Sequence, residues 1–298
     1  MLELLIFIII SLILTNLYLY YYVFEIEFLE YYELCSMFKK QNEYFQKFDK
    51  YNLHSRNIIS KDLKKYYCDN SLSFNNYQKN NISKILLSLK NAYNLNFFKC
   101  LWKFGLVNNN LEGGMPHTHS DVIIFSEKLV NNLVVSNNSK SLFIHERTHV
   151  IQRKYIEDFV NLYKNYWNFI RVKVNNKLKI NIRLNPDGPN SNWVFKFNNT
   201  YIWPIAVFKS KNLVDCRYVG VYLKKKNDIF YADNSCKVKD LVDCPEYNDF
   251  FGNINNSYHP NEIAADYMSM YILKNHISNI GFKKFKNWIH KSNILNKN

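Results

Sequence analysis

Two histidines four residues apart, with a glutamate directly after the first, constrain this chain more than any other feature. They stand in LFIHERTHVIQR, Leu142 to Arg153. On an α-helix, residues four apart lie on one face, one turn apart. The imidazoles of His145 and His149 can therefore be aimed at a single cation. Glu146 is rotated by one residue, so it lies beside that cation, where it can take a proton from a bound water. Leu142, Phe143, Ile144, Val150 and Ile151 flank the pair and bury the helix. A buried His-Glu-His cluster is costly without a compensating charge, and a metal ion is the simplest one. The competing reading is an ordinary helix. With eight histidines in 298 residues, such a match arises by composition in about one chain in a hundred.

A catalytic zinc site needs a third protein ligand and an open fourth position. The H-E-x-x-H-x-x-G-x-x-H extension is absent, because Gln152 and Tyr155 stand where Gly and His would be. Glu157 and Asp158 lie two turns along the same helix, too far to fold back. Glu246, in CPEYNDF, has no supporting pattern. The best candidate is Glu262, in HPNEIAADYM. Pro260 suits the first turn of a helix, Asp266 follows Glu262 on the same face, and Ala264 and Ala265 permit close packing against another helix. A metal-bound histidine usually donates its other N–H to a carboxylate. Glu262 as ligand and Asp266 as that carboxylate meet both needs from one helical turn.

HERTH followed by NEIAAD resembles the gluzincin metallopeptidases, the thermolysin-like group, whose pattern is H-E-x-x-H on one helix and N-E-x-x-[SA]-D on a later one. The resemblance covers two short blocks. It implies that His145, His149 and Glu262 bind one Zn²⁺ per chain, that Glu146 is the general base and that Asp266 orients the first histidine. It also implies an edge strand over the active-site cleft, a place filled here by HTHSDVIIFS, where a substrate peptide adds to the sheet. The implied reaction is hydrolysis of a protein or peptide by metal-activated water. A second donor to the oxyanion is needed. Tyr258, His259 and Tyr267 near Glu262 are candidates, as is His117 on the presumed edge strand; His117 or His119 is also a candidate extra ligand. One departure is the distance from His149 to Glu262, 113 positions (149 to 262), much longer than in thermolysin-like enzymes.

The rest of the chain points to an α+β fold. Residues 26–105 repeat apolar residues at three- and four-residue spacing and read as helical. A zincin-like catalytic domain is expected over 106–298. Within it a long helix runs from about Ser141 to Trp167, and a β-rich insertion covers about 169–258. Short runs such as WVFKF and CRYVGVYL mark that insertion, with NPDGPNSN as a turn. Trp193, Tyr201, Trp203 and Phe208 are expected in its core. Gln152 and Arg153 are placed either to hydrogen-bond the insertion or to form a solvated helix end.

Between Glu3 and Glu25 lies LLIFIIISLILTNLYLYYYVF, 21 residues without a charge. As a helix it would span about 30 Å, the thickness of a bilayer's hydrocarbon core. Residues 1–25 therefore read as a single-pass membrane anchor, with a cleaved signal peptide (and hence secretion) or a buried helix as rivals. Lys39 and Lys40 follow the run and no Lys or Arg precedes it, a bias toward a cytoplasmic body. The formal net charge of +14 comes without a dense basic run or interleaved glycines, so no nucleic-acid partner is expected. The six cysteines are scattered without a C-x-x-C pair, so no disulfide framework is indicated, although one pair among Cys216, Cys236 and Cys244 could be oxidised. Two other functions remain open: a zincin fold that has lost hydrolysis and serves as a binding or structural protein, and a helix-rich scaffold in which HERTH is accidental.

Overall fold

The computed structural model describes residues 25–296, apart from Asn42, Ser60, Lys61, Asn94, Lys99, residues 189–191, Asn255 and His276. The uncharged run that reads as an anchor lies outside the described residues. Among the described ones, no helix is long and apolar enough to cross a membrane.

Among the described residues, three sheets and ten α-helices make up a mixed α+β architecture. The strands are β1 (Ile26–Phe28), β2 (Ser71–Leu72), β3 (Trp102–Val107), β4 (His117–His119), β5 (Val122–Ser126), β6 (Phe169–Arg171), β7 (Val174–Asn176), β8 (Trp193–Phe197), β9 (Thr200–Phe208), β10 (Cys216–Tyr222), β11 (Lys224–Lys226), β12 (Ile229–Ala232) and β13 (Val238–Asp240). The helices are α1 (Tyr31–Lys40), α2 (Lys50–Ser55), α3 (Leu63–Asp69), α4 (Asn76–Ala92), α5 (Glu127–Asn131), α6 (Asn137–Lys154), α7 (Ile156–Asn161), α8 (Pro245–Phe251), α9 (Pro260–Ile272) and α10 (Ile280–Ser292).

The first sheet runs β1-β3-β5-β4, with β2 also paired to β3. Strands β1, β3 and β5 are parallel, and β4 closes the edge antiparallel to β5. Alternate residues of a strand face opposite sides of its sheet. Phe104, Leu106, Ile123 and Phe125 accordingly join the main core, while Val107, Val122 and Ile124 join a second cluster with Leu34, Phe38 and Tyr67. With both faces covered, β3 and β5 read as near-continuous apolar runs. Gly105 sits on the second face because a Cβ there would come within 2.8 Å of Leu34.

This arrangement corrects the expectation that residues 26–105 are helical throughout. They supply β1, β2 and most of β3 to the sheet that carries the candidate edge strand. HTHSDVIIFS, expected as one strand, is the hairpin β4–β5. The expected helix from Ser141 to Trp167 begins earlier, where Ser136 caps Ser139 N, and breaks at Tyr155; α7 and a π turn at Leu162–Tyr166 follow. Cys35 and Cys68 form a disulfide joining α1 to α3, against the expectation of no such framework. The pair suggested among Cys216, Cys236 and Cys244 is absent; all three are free.

The β-rich segment is present. It forms the antiparallel sheet β13-β10-β9-β8-β6 and a small sheet β11-β12-β7. Trp193 and Trp203 are buried there, as expected, whereas Tyr201 and Phe208 are only half-buried. After β7 the chain returns along β9: Arg183 N donates to Ala206 O (2.8 Å) and Phe208 N to Asn181 O (3.0 Å). It then leaves the sheet as a strap over residues 182–188. The two motif helices pack directly. Ala264 and Ala265 are fully buried between them, and Ser269 Oγ on α9 donates to Ser141 O on α6 (2.9 Å).

Candidate metal centre and cleft

Helix α6 is buried on several faces at once: Phe143, Ile144, Val150 and Ile151 lie in the core, and Glu146, Arg147, Thr148, His149 and Gln152 are also buried. Arg147 ties it to the sheet, donating to Leu101 O (2.8 Å) with its guanidinium 5.0 Å over the Trp102 ring. Helix α9 starts at Pro260. Its cap, His259, accepts from Asn261 N through Nδ1.

The close packing of α6 and α9 brings His145, His149 and Glu262 together. Their ligand atoms all lie within 4.8 Å of one another, a group that can hold a metal ion. The far side of each ring is already engaged. His145 Nδ1 donates to Asp266 Oδ1 (2.8 Å) and His149 Nδ1 to Gln152 Oε1 (2.8 Å). Gln152 is itself oriented, because its amide donates to Asn261 O (2.8 Å). With Nδ1 engaged on the far side, each ring turns Nε2 inward, the atom whose lone pair a metal ion would take. Those two nitrogens stand 3.0 Å apart, and the Glu262 carboxylate lies 3.3 Å from one and 3.7 Å from the other. Three electron-rich atoms thus converge on one point.

Electrostatics agree with a cation there. Burial disfavours the charged form of His145, but the hydrogen bonds and charges of Asp266 and Glu262 outweigh it and raise its pKa well above the ordinary value. Burial pushes the Glu262 carboxyl up, while His149 and His145 outweigh that and hold it below the usual range. Glu146 is not a member of the triad. Its Oε2 is buried without a hydrogen-bond partner. Burial, then the charge of Asp187, push its pKa well up, against the opposing pull of His145.

A cavity of about 300 Å³ opens beside the triad. His145, Glu146 and Glu262 line one side. Arg183, Asn185, Pro186 and Asp187 from the strap line another, with Tyr218 and Tyr258. Of the four candidate oxyanion donors, Tyr258 and His117 reach this cavity. The Tyr258 hydroxyl accepts from Asn185 Nδ2, so its own proton remains to be donated. His117 donates through Nδ1 to Met115 O (2.9 Å), and its buried Nε2 has no partner. His259 turns toward Gly188, where a Cβ would meet its ring at 2.9 Å. Tyr267 belongs to the core: its hydroxyl donates to Phe251 O (2.7 Å) and its ring packs on Trp167 and Phe282. Five residues beyond Glu262 on α9, it is about 140° around the helix from the site.

His119 lies among Phe38, Tyr44, Phe45 and Tyr67, and neither it nor His117 joins the triad. Arg153 does reach the insertion, meeting Asp187 Oδ1 at 3.2 Å and Pro186 O at 3.3 Å; Gln152 instead serves His149. The open edge of β4 is covered, since Thr118 N donates to Asp187 Oδ1 (3.0 Å). A peptide adding to that edge must displace Asp187.

Sequence reasoning missed Asn185. One amide hydrogen goes to Glu262 Oε1 (2.8 Å) and the other to Tyr258, so this residue holds ligand and phenol together. NPDG reads as a turn, and nothing in the sequence shows that the turn lies over the triad.

Comparison of the chain with protein-family models, with curated protein sequences and with solved structures finds no match.

Proposed function

We propose that the chain is a zinc-dependent metallopeptidase with a zincin-like arrangement. The observation that carries this reading is the convergence of His145 Nε2, His149 Nε2 and Glu262 while both Nδ1 atoms are hydrogen-bonded elsewhere. Two imidazoles and one carboxylate suit zinc and leave a coordination position open. The antiparallel strand β4 at the sheet edge, packed beside α6, also supports the reading.

The chemistry follows from the side chains lining the cavity. A zinc ion held by His145, His149 and Glu262 would supply Lewis acidity and would make water more acidic at the site. Glu146, in the cavity and outside the triad, takes the proton of the attacking water and returns it to the leaving amine. Tyr258 donates its phenolic proton to the oxygen on which charge develops. Asn185 fixes that phenol relative to Glu262. Asp266 and Gln152 hold the two imidazoles in the tautomer that presents Nε2.

The substrate is a peptide or a segment of a protein. The domain is attached to a membrane through the run at 4–24, with secretion as the alternative. The Cys35–Cys68 disulfide favours an oxidising compartment for the body, against the cytoplasmic bias of Lys39 and Lys40.

The second reading is a metal-holding binding protein without hydrolysis. The strap favours it, because Asp187 occupies the edge where a substrate would pair. Peptide turnover by the purified chain beside Glu146→Gln separates the two. The peptidase reading expects turnover to fall at least about 100-fold in the variant with the metal retained. Turnover equal in both proteins, or absent from the zinc-loaded unaltered chain, rejects it.

A further inference from the structure

One half-buried cation in the cavity has no carboxylate against it among the described residues. Arg183 lines the same cavity as the triad. Its guanidinium offers five N–H donors in a planar fork shaped for a carboxylate. Nη1 points at Cys216 Sγ (3.3 Å) and Nη2 at Met115 Sδ (3.4 Å), both weak acceptors. Nε is buried with no partner. No carboxylate of the described residues approaches the guanidinium within 4.0 Å. A buried N–H without an acceptor carries a desolvation cost that nothing offsets.

Buried Arg56 is answered by Glu112 (3.0 Å) and half-buried Arg153 by Asp187; Arg147 also lacks a carboxylate, but it donates to Leu101 O, lies over the Trp102 ring and does not line the cavity. Nor is the Arg183 backbone free to carry the side chain away. Arg183 N is bonded to Ala206 O; the next residue donates from Leu184 N to Asn52 Oδ1 (3.0 Å) and accepts at Leu184 O from Arg56 Nη2 (2.8 Å). A side chain on a pinned backbone beside a reactive centre is pre-organised for a ligand. The stacked rings of Tyr218 and Tyr258, 4.7 Å apart, share this part of the cavity.

We propose that Arg183 receives a carboxylate of the bound peptide, so that the site selects substrates carrying an acidic side chain or a free C-terminus near the bond placed at the triad. This rests on the peptidase reading for its substrate, although the carboxylate site itself exists whether or not hydrolysis occurs. The fork of Arg183 exchanges two sulfur contacts for a bidentate pair with oxygen. Cys216 and Met115 leave room for that exchange because neither holds the guanidinium strongly.

The test is retention of degenerate peptide mixtures by the full chain carrying Glu146→Gln, so that nothing is cleaved, in zinc-loaded and chelator-treated forms. Three mixtures are compared: C-terminally amidated with one Glu, amidated with Gln in its place, and Gln-containing with a free C-terminus. One acidic mixture should be retained about 10-fold or more over the neutral one, in both forms of the protein. The mixture that wins tells an acidic side chain from a C-terminus. Adding Arg183→Met or Arg183→Gln should abolish the preference. Equal retention of all three mixtures overturns the proposal, as does a preference that survives Arg183→Met. A preference present only with zinc also overturns it, since the carboxylate would then sit on the metal. A thermal melt supplies an independent check: Arg183→Met should melt at the same temperature as the unaltered chain or higher, because it removes a charged group whose buried Nε has no acceptor. A clear fall in melting temperature would mean that the fold already satisfies the guanidinium, which overturns the proposal. Zinc binding and hydrolysis without acid preference reject this inference alone; acid preference without zinc or hydrolysis rejects the peptidase reading alone.

Discussion

His145 and Asp266, 121 residues apart in the chain, meet at 2.8 Å between Nδ1 and Oδ1. The contact turns Nε2 of His145 toward His149 and Glu262, so it decides which nitrogen a metal would find. Removing it should weaken the metal without removing a ligand. Asp266→Ala is expected to lower metal affinity about 10- to 100-fold, read as the chelator concentration that strips half the metal. An affinity equal to that of the unaltered chain would mean that Asp266 has no part in holding the site.

Tyr258 makes a sharper case, because its phenol lines the cavity while its ring stacks on Tyr218. Loss of one oxyanion donor typically costs about 10²- to 10³-fold in kcat. Tyr258→Phe keeps the ring and should show that fall with metal content and KM little changed. A variant that loses metal together with activity would instead assign Tyr258 to the integrity of the triad.

The strap is fixed by charge as well as by backbone bonds. Asp187 accepts from Thr118 N and faces Arg153. Asp187→Asn keeps the shape and removes the charge, and should lower unfolding free energy by about 1–3 kcal/mol in denaturant titration. Full metal occupancy should remain, since Asp187 is not a ligand. Unchanged stability would show that the strap does not depend on this pair.

Acid should destabilise the fold in two windows. Burial, then the positive surroundings of His117 and Arg153, lower the pKa of His119 from 6.5 to about 3. The unfolded chain therefore takes up a proton that the folded chain refuses, and stability falls as pH drops from about 6.5 toward 3. The limiting slope for one such proton is about 1.4 kcal/mol per pH unit. Glu112 adds the second window. Burial alone would raise its pKa, but the Arg56 guanidinium and His117 outweigh it and lower it from 4.5 to about 2, so the stability that Glu112 contributes is lost below about 4.5. Denaturant titrations between pH 7 and 4 should show the first loss, and His119→Phe should flatten it. A wild-type profile that is level from pH 7 to 5 would contradict this account of His119.

Much of the triad was legible in the sequence. Spacing alone places His145 and His149 on one helical face, and Pro260 with Ala264 and Ala265 correctly marks a second helix that packs closely. Helical phase also carries Asp266, four residues from Glu262, to the right histidine. Phase could equally have excluded Tyr267, which nearness in sequence suggested and the core claimed. The long-range features were not legible. Asn185, Asp187 and Arg183 reach the cavity because residues 181–183 pair with β9, a register that no local pattern announces. Strands β1 and β2 are too short to show a period of two, and helical signals on either side masked them. Cys35 and Cys68 lie 33 residues apart, and their bridge depends on how α1 and α3 pack.

The central claim is that His145, His149 and Glu262 hold a metal. Elemental analysis of the full chain, purified without chelator beside His149→Ala and Glu262→Ala, tests it most directly. The account predicts about one zinc per unaltered chain and loss of it in both variants. A folded unaltered chain that carries no metal, and takes up none when zinc is supplied, would contradict it.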